Sequence, residues 1–157
     1  MKHIISILVE NRFGVLARVA GLFSARGYNI DSLTVSETHD PTVSRMTVVV
    51  NAEDERILEQ IKKQLNKLID VITVVDYTKK EYVEREMVFV KVVLLKKDFA
   101  SLKKKAAKAK AQIISKGDAS CIVELVGDQE YIKAFLEGLN DFKVVELVRS
   151  GRIAIAK

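Results

Sequence analysis

Alternating apolar and polar positions divide the chain into short strands and amphipathic helices that recur in a fixed order. Lys2 to Glu10 reads as a strand, and Leu16, Val19, Ala20 and Phe23 recur at i, i+3, i+4 and i+7, the spacing of one helix face. Gly27 suits the C-terminal cap of that helix. Leu33 and Val35 then alternate with Thr34 and Ser36 in a strand over Leu33–Thr38, the turn signal "HDPT" follows, and Met46, Val48 and Val50 alternate in its hairpin partner. Ile57, Leu58, Ile61, Leu65 and Leu68 mark a second helix, and "VITVVDY", Val71 to Tyr77, a fourth strand.

After the charged stretch "TKKEYVERE" the same order returns. "MVFVKVVLL" reads as a strand, Asp98 to Ala111 as a lysine-rich helix, and "QIISKG" with "ASCIVELVG" as a hairpin. A helix carrying Ile132, Phe135, Leu136 and Leu139 precedes the strand "KVVELVRSG" and the short tail "RIAIAK". Two βαββαβ units in tandem imply an α+β fold of two ferredoxin-like domains, each an antiparallel sheet with helices on one face. Their expected bounds are 1–78 and 87–157, with 79–86 as linker. Two details do not follow from the pattern. In "FSARGYNIDSL" an asparagine and an aspartate flank Ile30, which fits neither the helix before it nor the strand after it. Gly21 inside the first helix costs about 1 kcal/mol relative to Ala, which suggests close packing against a neighbour.

Composition narrows the classes of function. With 48% hydrophobic residues in 157, the chain can bury one ordinary core or two modest ones. A single cysteine, Cys121, excludes an intrachain disulfide and fits a reducing cytoplasm. No apolar run approaches the roughly 20 residues that span a bilayer, and "MKHIISILVEN" reads as a strand, not a signal peptide. A soluble protein without a membrane partner is expected. The net charge of +5 raises a nucleic-acid reading, but Lys103, Lys104, Lys105, Lys108 and Lys110 crowd one helix, where a solvated face is the simpler account. Aromatic side chains for stacking bases are scarce, so no nucleic-acid partner is expected.

Candidate chemistry is sparse. His3 and His39 read as surface residues, and Cys121, alternating with Ala119 and Val123, as a buried strand cysteine without a base. Gly14, Gly21 and Gly27 are too widely spaced for a dinucleotide loop, and no catalytic or metal-ligand motif is present. No catalytic residue, metal site or cofactor is expected in this chain. The exception is "ENRFGVL", Glu10 to Leu16, which joins the first strand to the first helix. A helix N-terminus offers free N–H donors and partial positive charge, and Gly14 admits a ligand close to the backbone, so the loop could hold a carboxylate. Equally, Asn11 could satisfy local backbone groups while Gly14 relieves strain.

At these residues the sequence resembles a known family. "ENRFGVLARVAGLFSARGYNIDSLTVSETHDPTVSRMTVVV", with "LEQIKKQLNKLIDVITV", "VERE" and "ELVRSGRIAIAK", resembles the regulatory (small) subunit of acetolactate synthase, or acetohydroxyacid synthase, over essentially the whole chain. The resemblance implies that the N-terminal half is an ACT domain, an amino-acid-binding ferredoxin-like module, and that the chain itself is not an enzyme. It implies a partner, the catalytic large subunit, carrying thiamine diphosphate, Mg2+ and FAD, which this chain activates and renders sensitive to feedback inhibition by valine. The effector site it implies is Asn11, Gly14 and Val15 in the first loop with Asn29 and Ile30 at the later junction. A helix of about 12 residues, roughly 18 Å long, separates the two sets. The expectation is therefore a homodimer that shares the site between protomers through the poorly protected edge strand Leu33–Thr38. A stand-alone amino-acid sensor without an enzyme partner is the alternative, and an RNA-binding ferredoxin-like protein a more distant one.

Overall fold

The structure, a computed structural model, describes residues 2–51, 55–77, 80–94 and 98–157. Met1, Thr78, Lys79 and Leu95, which the expected elements and boundaries include, lie outside the described residues. The described elements follow the order β1 (Lys2–Glu10), α1 (Val15–Ser24), β2 (Ile30–Glu37), β3 (Val43–Asn51), α2 (Glu55–Leu65), β4 (Val71–Asp76), β5 (Tyr82–Val93), α3 (Asp98–Lys108), β6 (Gln112–Lys116), β7 (Ser120–Gly127), α4 (Gln129–Glu137), β8 (Val144–Arg149) and β9 (Ile153–Ala156). These make the two ferredoxin-like βαββαβ units that the periodicity predicts, followed by one extra strand, β9, where the sequence reads only as a short tail. The chain divides into residues 1–83 with 152–157, and residues 84–151.

In the first unit the strands lie in the order β2-β3-β1-β4, each antiparallel to its neighbour, so β2 is an edge strand. Alternation along β1 sends Ile5, Ile7 and Val9 to the face that receives Val15, Val19, Leu22 and Phe23 of α1 and Leu58, Ile61 and Leu65 of α2. His3 shares that parity opposite Val50 and is buried, against the expectation of a surface residue. His39 is exposed, as expected. The opposite face carries Ile4, Val49, Val75 and Tyr77, and these pack with Tyr82 at the start of β5 and Ala154 of β9. The last six residues therefore complete the first unit, although in sequence they follow the second.

Two local features explain the FSARGYNIDSL junction. α1 ends with Gly27 at φ 70, where the Tyr28 N–H reaches back to the Phe23 carbonyl, a glycine-dependent termination. β2 then opens with a β-bulge: Ile30 pairs with Val50 and Ser32 with Val49, leaving Asp31 as the extra residue. The bulge returns Ile30 to the helix-facing core while Ser32 lies on the opposite face, so no single period fits both.

The second unit repeats the order as β6-β7-β5-β8, with Val88, Val90, Val92, Cys121, Val123 and Leu125 packed under Leu102, Ala106, Ile132 and Phe135. From Tyr82 onward the stretch read as a linker is strand. Its charge misled the pattern, because Glu86 is buried in a bidentate pair with Arg149 instead of facing water. α3 stops at Lys108, three residues before the expected end, since Lys110 adopts a left-handed φ of 49 and Ala111 N–H returns to the Ala106 carbonyl. The described helical lysines are not one free stripe: Lys105 binds Asp141 and the Gly138 carbonyl.

Close packing does not explain Gly21, because a Cβ there would meet nothing within 4 Å among the described residues. Gly21→Ala is therefore expected to stabilise the chain by about 0.5–1 kcal/mol, read from urea denaturation. Burial of Cys121 raises its thiol pKa despite the nearby Lys116, so little thiolate forms near neutral pH. A disulfide reagent should modify the folded chain far more slowly than the urea-unfolded chain, as followed by absorbance at equal pH.

Candidate functional site

The first loop is tied by its own donors to the turn between β2 and β3. Asn11 donates its backbone N–H to the Thr42 carbonyl (2.7 Å) and its side-chain Nδ2 to the Pro41 carbonyl (2.8 Å). A carbonyl can only accept, so the amide nitrogen faces Pro41 and Oδ1 is left as an acceptor on an exposed side chain. Gly14 follows at φ 79 as the N-cap of α1, and no side chain caps the helix. α4 is different: Asp128 accepts from the Tyr131 N–H at 2.9 Å. Val15 N–H already donates to the Arg12 carbonyl at 3.4 Å, so it is the amides of Leu16 and Ala17, next in the first turn and without a side-chain cap, that keep their capacity to bind an anion.

A cation stands beside those amides. A Cβ at Gly14 would lie 3.0 Å from Nη1 of Arg18, whose Nε donates to Asp70 Oδ2 at 2.8 Å. Asp70 is nearly buried, and its carbonyl accepts from the Glu10 N–H at 2.9 Å, which ties the α2–β4 loop to the end of β1. Arg18 is one turn beyond Gly14, and side chains on a helix lean towards its N-terminus, so its place could have been read from sequence. Asp70 gives no such signal, because only the fold brings it to Arg18. Val15 is 2% exposed and packs in the core, so its side chain is out of a ligand's reach.

The second set lies at the other end of the sheet. Asn29 donates its Nδ2 to Asp31 Oδ1 at 3.0 Å, which leaves its own Oδ1 free to accept. Asp31 also pairs with Lys2 at 3.2 Å. The Lys2 hydrogen bond holds its carboxyl below the ordinary carboxylate range against the opposing effect of burial, with the Asn29 hydrogen bond and the Lys2 and Arg152 charges adding to the lowering. Ile30 is half-buried against the core. Along β3, Val43 faces Glu10 and Val50 faces Ile30, so the two sets stand about 23 Å apart at strand rise. α1 itself has ten residues and spans about 15 Å. Within one chain the structure does not bring Asn11, Gly14 and Val15 together with Asn29 and Ile30.

Among the described residues no cluster of three or more His, Cys, Asp or Glu could hold a metal, and no helix is long and apolar enough to cross a membrane. One described groove of about 270 Å³ lies between α2 and β4, lined by Leu58, Lys62, Val74 and Asp76 among others, away from both sets.

Comparison with known proteins accounts for both halves. The sequence model described as an AHAS small subunit-like ACT domain matches residues 5–73, and that of the small subunit of acetolactate synthase matches residues 85–157. The chain is 44% identical over its full length to the acetolactate synthase isozyme 3 small subunit of Salmonella typhimurium, covering 96% of it. It is 40% identical to the acetolactate synthase small subunit of Bacillus subtilis, over all of this chain and 91% of the relative. The crystal structure of the acetolactate synthase small subunit from Thermotoga maritima superposes with a TM-score of 0.90 at 34% identity, covering 100% of this chain and 98% of that one. With both units matched in order and full-length identities of this size, the chain belongs to the acetolactate synthase small-subunit family, its first unit being the ACT domain.

Proposed function

We propose that this chain is the regulatory subunit of an acetolactate synthase: it activates a separate catalytic large subunit, which carries thiamine diphosphate, Mg2+ and FAD, and inhibits it when a branched-chain amino acid, valine, binds. The observation that carries the effector reading is the polarity of the two residue sets. The loop at Gly14 presents uncapped helix amides and the Arg18 guanidinium, suited to a carboxylate. Asn11 and Asn29 both have their amide nitrogens engaged and their carbonyl oxygens free, suited to an ammonium. A zwitterion needs both, and Ile30 adds an apolar surface for a branched side chain.

At about 23 Å the sets cannot serve one amino acid within a chain. In the proposed homodimer, two β2 edges pair about a two-fold axis and bring Asn29 of one protomer to the Gly14 loop of its partner. The edge position of β2 and its half-exposed Val35 support that pairing.

Reconstitution with the large subunit from the same source tests the proposal. The chain should raise acetolactate formation and valine should lower it; absence of activation would overturn the regulatory assignment. Gly14→Asp should still activate but lose inhibition, because the new carboxylate sits at the helix amides and beside Arg18, where the ligand's own carboxylate belongs.

The composite site has a sharper test. Gly14→Asp and Asn29→Ala homodimers each carry two damaged sites, and loss of a hydrogen bond to a charged ammonium should weaken binding about ten-fold or more. A mixed dimer places both lesions in one site and leaves the other intact. Random mixing makes about half the dimers mixed, so about a quarter of the wild-type sites should bind tightly again. Calorimetry on verified mixed dimers that finds no recovery would rule out a shared site.

A further inference from the structure

The C-terminal strand grips the same short segment that presents Asn29. Arg152 donates its N–H to Ser32 Oγ at 3.1 Å and accepts at its carbonyl from Thr34 Oγ1 at 2.9 Å. Two same-face side chains of β2 thus bind the N–H and the carbonyl of one tail residue, a polar clasp on the sheet face opposite the helices. Arg152 is 8% exposed, Ala154 is buried among Ile4, Val49 and Tyr77, and Lys157 N–H closes on the Glu81 carbonyl at 3.1 Å. The tail is therefore held at both ends and in the middle.

Between the clasp and Asn29 stands the bulge residue Asp31. We infer that the tail strand, residues 152–156, acts as a positioning element for the effector site: by clasping Ser32 and Thr34 it fixes the bulge, the bulge fixes Asp31, and Asp31 holds the Asn29 amide with its carbonyl oxygen presented to the ligand's ammonium. This rests on the amino-acid-binding reading above and names how that site is regulated. The terminal torsion of an asparagine is broad and roughly two-fold, so an amide that nothing holds presents its NH2 group, the wrong sign for an ammonium, as readily as its oxygen. An ionised carboxylate accepts only, and so selects one orientation. Lys2 and the Arg152 charge keep Asp31 ionised and in place. Because a bulge leaves its extra residue without a ladder partner, Asp31 is placed by side-chain contacts to Lys2 and Asn29, and the clasp steadies the backbone that carries it. The coupling is reciprocal: a ligand that draws on the oriented Asn29 must in turn stabilise the tail.

Calorimetric titration of the full-length chain with L-valine tests this with three variants. Asp31→Ala should weaken binding about ten-fold, and Asp31→Asn, whose amide donates as readily as it accepts and which loses the Lys2 ion pair, should also weaken it, by several-fold, because it no longer selects one orientation of Asn29. The double variant Ser32→Ala/Thr34→Val removes the clasp without touching Asn29, Asp31 or Arg152, and should weaken binding several-fold with valine present at saturation restoring the same heat per site. Thermal melts of each unliganded variant report whether the fold is kept. As an independent readout, valine should slow hydrogen exchange of the Arg152 and Ala154 amides in the wild type. Wild-type affinity in the double variant, affinity loss that only tracks a fall in melting temperature, or unchanged exchange in the tail would each overturn the positioning role while leaving the effector site standing. Failure of the wild type to bind valine or any other branched-chain amino acid would instead overturn the effector reading, and this inference with it.

Discussion

A four-stranded sheet with both helices on one face leaves its other face to water unless something else covers it, and this constraint organises the first unit. Ile4, Val49, Val75 and Tyr77 lie on that second face. At about 25 cal/mol per Å² of apolar surface, leaving several such side chains exposed would forfeit several kcal/mol, a large fraction of the net stability of a domain this size. The chain meets the constraint with its own last strand and the start of β5, through Ala154 and Tyr82. A domain that borrows its covering strand from beyond the next domain cannot be bounded by a single cut in the sequence.

The same sheet fixes where polar chemistry can occur. A ferredoxin-like order makes β1 and β2 parallel, with α1 crossing between them, so the loop that starts α1 and the junction that ends it fall at opposite ends of the sheet. One end has donors: helix amides without a side-chain cap, and a guanidinium steadied by Asp70. At the other end, and on the Asn11 side of the loop, amide groups tied down by Pro41 and Asp31 leave acceptors outward. The separation follows from backbone geometry alone, and it is the reason the proposed function requires a second copy of the chain.

In the second unit the charged residues behave differently from their appearance in the sequence. Glu86 and Arg149 satisfy each other across neighbouring strands, Lys105 closes on Asp141 and the Gly138 carbonyl, and Lys116 lies 4.0 Å over the Phe99 ring. Charge that is used up in intramolecular pairing gives little support to a nucleic-acid surface, and the apolar core beneath it, with the buried Cys121, is that of an ordinary antiparallel α+β domain.

Periodicity alone determined the two βαββαβ units, because an antiparallel sheet with one covered face imposes a period of two on its strands and the helices a period near 3.6 on theirs. It also exposed Gly14 and Gly27, since a backbone that must turn left-handed favours glycine wherever the fold places it. The loop at Gly14 stood out from helix-terminus chemistry, but the set of five effector candidates came from resemblance, and the chain's pattern could not have joined them. What only the tertiary structure decided rests on contacts between residues distant in sequence: Asp70 on Arg18, Pro41 on Asn11, Arg152 on Ser32 and Thr34, and the burial of His3. The bulge at Asp31 belongs with these, because a one-residue slip shifts every following side chain to the other face and leaves in the sequence only an isoleucine out of step. Local pattern carries local geometry; hydrogen bonds and ion pairs across 30 to 120 residues of chain are set by the way the elements pack, which no window of sequence contains.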